Sequence, residues 1–233
     1  MIASVHGPNV VLLQVFLAIG FGVAVVVSVL RRGREGAGRA RDLRALSRRL
    51  SFDTFVAIPE DTFASGWGFL DPLNQGADRR AWNLARGTYH DQSLFVFDYQ
   101  FTTGSGKSRE IHYSTILMLI CKEAFPRLTI RPETLREKIA ATVGIESDIK
   151  FESAEFSRKF CVRSPDKKFA YDVCHPRMME YLLANPRLHL EIQGPALMLS
   201  FEPRLPVDQV EASLQRLIAI RSLLPEYLFS QNT

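Results

Sequence analysis

An α+β domain on a mainly antiparallel sheet, with a β-meander and a long C-terminal helix, preceded by one transmembrane helix, is the fold class the sequence predicts. Three observations carry it. Residues 10–30 form an uncharged and largely apolar run, residues 82–121 alternate with period two across short links, and residues 206–224 repeat apolar side chains at helical spacing. Strands follow one another with helices at intervals and no βαβ alternation, which favours α+β over a parallel-sheet architecture.

The run VVLLQVFLAIGFGVAVVVSVL, residues 10–30, holds no charge and only Gln14 and Ser28 as polar interruptions. Twenty-one residues at ~1.5 Å each span about 31 Å, the thickness of a hydrocarbon core. A cleaved signal peptide would need a basic leader, a shorter apolar stretch and a small-residue cleavage site. MIASVHGPN has no Lys or Arg, and the run ends directly in Arg31-Arg32. Residues 1–9 are therefore expected outside, 10–30 across the bilayer, 31–50 as an Arg-rich juxtamembrane linker and helix, and 51–233 as a cytoplasmic domain. The orientation follows from the retention of Lys and Arg on the cytoplasmic side.

The basic character belongs to that linker. Residues 31–50 carry eight Arg against Glu35 and Asp42, and the remaining residues hold 21 basic and 23 acidic groups. Nucleic-acid binding driven by phosphate neutralisation needs a basic face on the domain itself, so that class is excluded. Arg31, Arg32 and Arg34 are instead expected on the anionic inner leaflet, where each cation contributes about 1 kcal/mol.

Gly33, Gly36 and Gly38 read as a flexible link. Ala40–Leu50 then reads as a helix with Leu43, Leu46 and Leu50 on one stripe, lying between membrane and domain. SFDTFVAI is a candidate strand before a turn-rich stretch. Trp82–His90, Leu94–Thr102 and Glu110–Cys121 form the meander. Phe95, Phe97, Tyr99 and Phe101 share one face of the second strand, and Asp98 and Gln100 share the other, which is expected to be partly wet. Beyond it come an expected strand at Arg127–Ile130 and a helix at Pro132–Val143. Ile149–Glu152, Lys159–Arg163 and Phe169–Val173 read as strands, and Pro176–Ala184 as a helix. Two more strands, Arg187–Gln193 and Leu197–Glu202, flank Gly194-Pro195. The closing helix, Pro206 to about Leu224, presents Val207, Val210, Leu214, Leu217 and Leu224 on one stripe.

Gly104-Ser105-Gly106-Lys107-Ser108 resembles the end of a phosphate-binding loop, but the position of that motif's first glycine is Phe101. The glycines also sit between two strands, whereas the phosphate site needs a strand feeding a helix. The stretch reads as a hairpin turn, and no nucleotide is expected. Lys107 and Arg109 at the tip are candidate contacts to lipid or a partner. Cys121, Cys161 and Cys174 lie too far apart for a zinc site, so no metal or other cofactor is expected.

The stretches GTYHDQSLFVFDYQFTTGSGKSRE and FESAEFSRKFCVRSPDKKFAYDVCHPRMMEYLL resemble an uncharacterised bacterial membrane-protein family that carries a domain of unknown function. Phe156, Phe160, Val162, Ser164, Asp166, Ala170, Pro176, Met179 and Leu182 fit its later phrase, and Cys174 departs from it. The resemblance covers roughly residues 85–200. It implies membrane association and a shared fold, and it brings no activity to carry over. The sequence thus favours a membrane-anchored, non-enzymatic domain that binds a protein partner or the lipid surface. Its alternative is a tethered enzyme whose site is assembled from distant residues around Asp98, His112 or His175.

Overall fold

Alternation of apolar side chains drives three consecutive segments into extended pairing, and the structure joins them as expected. The computed structural model describes residues 36–57, 63, 65–133 and 148–229. The expected membrane span at 10–30 and Arg31, Arg32 and Arg34 lie outside these residues. Among the described residues, no helix is long and apolar enough to cross a membrane. The chain divides into Met1–Asp42 and a compact unit, Leu43–Thr233.

In order come α1 (36–49), β1 (Thr54–Val56), α2 (Asp71–Asn74), β2 (Ala77–Tyr89), β3 (Gln92–Thr103) and β4 (Glu110–Pro132). They are followed by α3 (Ala154–Lys159), β5 (Phe160–Arg163), α4 (Lys167–Val173), α5 (Pro176–Ala184), β6 (His189–Phe201) and α6 (Val210–Leu223). The described strands form one antiparallel sheet in the order β1-β2-β3-β4-β5, with β6 on the other edge of β4. The fold is α+β with a C-terminal helix, as predicted.

Two of the longest strands are single bent elements where the sequence suggests pairs. Arg127–Ile130 is the far end of β4, which runs 23 residues through irregular pairing between Ile120 and Leu128. Arg187–Gln193 and Leu197–Glu202 merge into β6, which bends at Gly194 (φ +55°) opposite Phe125. The sharpness of the bend follows from one contact. Eleven residues of straight strand would span about 36 Å, yet Ser200 Oγ and His189 Nδ1 lie 2.8 Å apart.

The bent sheet has two differently covered faces. Leu94, Val96, Leu117, Leu119, Leu190 and Leu199 pack against the helices, including Val210, Leu214, Leu217 and Ile220 of α6. Phe95, Phe97, Tyr99, Phe101, Met118 and Met198 turn the other way, under a strap that contributes Leu70 and Leu73. The aromatic row is thus core, as its alternation indicates. Leu43, Leu46 and Leu50 are buried in the helix-side core. The domain's packing therefore reaches back into the segment the sequence assigns to the linker. Gly36 and Gly38 are helical as well, at a local cost of about 1 kcal/mol each.

Three further expectations need correction. Phe169–Val173 is helical within α4, because Asp166 caps it by accepting from the Phe169 N–H at 3.0 Å. Ile149–Glu152 is not a strand and makes one bond to the sheet, Ile149 N–H to Val162 O at 2.8 Å. Pro132 ends β4 instead of opening a helix, and 134–147 lies outside the described residues.

Candidate functional site

The end of the sheet at the β3–β4 hairpin holds Asp98, Lys107, Arg109 and His112 among the residues the sequence singles out. Gly104 (φ +70°) and Gly106 (φ +55°) make the reversal, and a 3₁₀ turn at Gly106–Ser108 completes it. A Cβ on Gly104 would lie 2.3 Å from the Ser108 carbonyl oxygen, so glycine is required there. The turn joins two antiparallel strands and opens no helix toward a phosphate. Arg109 donates to Asp78 at 2.8 Å, with both side chains about half exposed, and Lys107 projects into solvent. Beside them on one face of β4, Ile111 and Tyr113 are 45% and 39% exposed.

One step inward on that face lies Asp98, fully buried instead of partly wet. Asn83 Nδ2 donates to its Oδ2 at 2.9 Å and Thr115 Oγ1 to its Oδ1 at 3.2 Å. Asn83 reaches it from an irregularity in β2 at φ +53°, a conformation asparagine tolerates better than most residues. The loop after β6 closes the niche. The Leu205 N–H donates to Thr115 Oγ1 at 3.0 Å, and Arg204 Nη1 stands 4.0 Å from Asp98 Oδ2. The Arg204 guanidinium also lies 5.1 Å from the Tyr113 ring and 5.9 Å from that of Trp82. Sequence spacing could not show this cover, because Arg204 is 106 positions from Asp98.

The other residues of the enzymatic alternative are not brought to Asp98. His112 stacks on Phe101 at 4.7 Å, with Nε2 2.7 Å from Thr103 Oγ1 and Nδ1 2.8 Å from Glu202 Oε1. His175 Nε2 sits 2.8 Å from the Leu223 carbonyl oxygen and ties α5 to the end of α6. Each has its own partners, and none of these is shared with Asp98.

A second polar cluster, on the strapped face, was not singled out from sequence. Asp71 at the start of α2 accepts from Arg127 Nη2 at 2.7 Å and from Arg131 Nη2 at 2.6 Å. Its own N–H donates to Glu191 Oε1 at 2.9 Å. Burial, then the Asp71 charge, raises the Glu191 carboxyl to about 8. Burial, reinforced by Arg131, lowers His189 on the same strand to about 3. The alternation His189-Leu190-Glu191-Ile192-Gln193 was the available signal, since three polar side chains share one face of a bent strand.

Glu133, Asp148 and Cys161 bring one ligand atom each within 4.8 Å of one another. The Val162 N–H donates to Asp148 at 2.9 Å and Lys150 binds the same carboxylate. Burial raises the Cys161 thiol, with Asp148 adding to the effect, and so disfavours the thiolate a metal would need. Cys174 and Cys121 are raised too, mainly by burial, Cys121 to about 11.

No family model matches the chain, and no curated protein matches it. Among solved structures the fold resembles the mycobacterial trehalose monomycolate transport factor A, TtfA. The TM-score is 0.59 at 16% identity, over 81% of this chain and 97% of that one.

Proposed function

We propose that this is a membrane-tethered, non-enzymatic domain that acts at the cytoplasmic face of a bilayer in the service of lipid transport. The fold shared with nearly the whole of TtfA carries the reading, since that protein is named for transport of a lipid. Fold alone assigns no chemistry, and two features of this chain point the same way. Residues 10–30 have the length and apolarity of a single span followed by arginines. The buried Asp98 and the half-buried Asp71 accept hydrogen bonds from neighbouring side chains, and one oxygen of the buried Glu191 carboxyl accepts from the Asp71 N–H.

In this reading Arg31, Arg32 and Arg34 hold the inner leaflet, and the hairpin end supplies the contact surface. Lys107 and Arg109 there flank the exposed Ile111 and Tyr113, a basic and amphipathic combination suited to a headgroup layer or a partner near it.

Two measurements test the reading. Ser105→Cys should resist a membrane-impermeant maleimide in intact cells and label once the membrane is opened; ready labelling of intact cells reverses the orientation. Depleting the protein should leave a pulse-labelled envelope lipid in the inner membrane. Unchanged lipid distribution removes the transport role.

A further inference from the structure

The polar row beneath the strap is incompletely bonded. Glu191 is fully buried; its Oε1 accepts the Asp71 N–H at 2.9 Å, while its Oε2 has no hydrogen-bond partner among the described residues. Arg127 and Arg131 of β4 act on the Glu191 carboxyl, yet both direct their Nη2 groups to the Asp71 carboxylate. Across Thr129 from Glu191 stands Arg163 of β5, and Cys161 pairs with Arg131. Two carboxyls, one on the strap and one on the sheet, thus share one pair of guanidiniums.

The two are not equivalent. Glu191 is fixed in β6, in the same sheet as both arginines, whereas Asp71 belongs to a single four-residue turn of helix. The Leu73 side of the strap has ties of its own, from Tyr99 OH to the Leu73 carbonyl and from Arg79 to Asn74 Oδ1 at 2.8 Å. The Phe69 side is the one that Asp71 secures, and Phe69 itself is 40% exposed. A second full charge at Glu191 would repel that of Asp71 and draw the guanidiniums to the sheet. Lifting the strap would also admit water to the unbonded Oε2. We propose that Asp71 and Glu191 form a proton-operated latch, in which loss of the Glu191 proton frees the strap at Phe69–Pro72 while the sheet stays folded.

The sign follows from linkage. Burial, with the Asp71 charge adding to it, holds the closed carboxyl at about 8, and a solvated one titrates near 4.5. Opening therefore releases one proton between these values, and the opening constant rises about tenfold per pH unit until it levels off near pH 8. His189 opposes this only below its ordinary value of 6.5, where an opened strap would let it take up a proton.

The test is native-state hydrogen exchange of the full-length chain in neutral detergent, with each rate divided by the intrinsic rate at that pH. From pH 6.5 to 8 the opening constant of the strap amides should rise about thirtyfold, and that of the central β3 amides should not follow it. Glu191→Gln should remove the slope and keep the strap closed. Asp71→Asn should open the strap already at pH 6.5, and Glu180→Gln, an exposed carboxyl on α5, should change nothing. Thermal melts confirm that each variant is folded. A wild-type strap without the slope overturns the latch, as does a slope that survives Glu191→Gln. The same slope in strap and β3 amides also overturns it, because the proton would then be released by unfolding of the whole domain.

Discussion

Glu191 and His189 stand two residues apart on the same face of β6, and burial drives both toward their neutral forms. Between the ordinary carboxyl value of 4.5 and about 8, the folded protein keeps a proton on Glu191 that the unfolded chain has released. Stability from this group is therefore complete below about 4.5 and is lost as pH rises toward 8. His189 acts on the other limb. Between 6.5 and about 3 the unfolded chain takes a proton that the folded protein refuses, so stability falls as pH falls. Together the two groups place their joint optimum between roughly pH 4.5 and 6.5. Glu191→Gln should flatten the alkaline limb and raise stability at pH 9 by on the order of a few kcal/mol. Urea midpoints at pH 5.5 and 9 check it, and a variant with the wild-type pH difference would show that Glu191 is ionised in the fold. Asp98→Ala, by contrast, should cost about 3–5 kcal/mol at any neutral pH, because it strips Asn83 and Thr115 of a buried acceptor and leaves Arg204 without its carboxylate.

At the scale of elements, the strap from Phe69 to Gly76 is held by few but strong contacts. Leu70 and Leu73 are fully buried, Tyr99 OH donates to the Leu73 carbonyl at 3.0 Å, and Asp71 is gripped by two arginines. Asp71→Ala should destabilise by about 2–4 kcal/mol, since it leaves two guanidiniums without their shared carboxylate. Hydrogen exchange should rise across the strap first; uniform exchange across the sheet would mean that the strap does not open locally. The hairpin offers a sharper contrast. Gly104→Ala forces a Cβ onto the Ser108 carbonyl oxygen, whereas Gly106→Ala meets nothing within 4 Å. Both positions have positive φ, so both variants carry backbone strain of about 1 kcal/mol. Only Gly104→Ala should also disturb the β3–β4 register. A thermal shift no larger for Gly104→Ala than for Gly106→Ala would contradict that close approach.

The whole molecule places the start of the domain inside what looks like a linker. A fragment beginning at Leu43 keeps Leu43, Leu46 and Leu50 in the helix-side core, and one beginning at Ser51 discards all three. At about 2–5 kcal/mol for each buried leucine removed, the loss matches the total stability of a typical domain. The longer fragment should melt cooperatively and the shorter one should not. Equal melts would show that α1 is dispensable.

Period two marked β2, β3 and the first half of β4, and the Phe95-to-Phe101 row declared its buried face, because strand geometry ties side-chain direction to sequence parity. The helices at Pro176–Ala184 and Val210–Leu223 were equally legible, since one apolar stripe suffices to define a helix face. The apolar segment at 10–30 and the arginines after it are properties of sequence alone. Tertiary structure decided the rest. Neither Asp98 nor Glu191 could be read as buried until the Arg204-Leu205 loop and the Asp71 strap closed over them. Whether Gly194-Pro195 ends a strand or bends one depends on pairing with Phe125, 69 residues away in sequence. A residue's neighbours along the chain set its direction, but contacts from distant segments set its burial, and burial determines its charge and its chemistry.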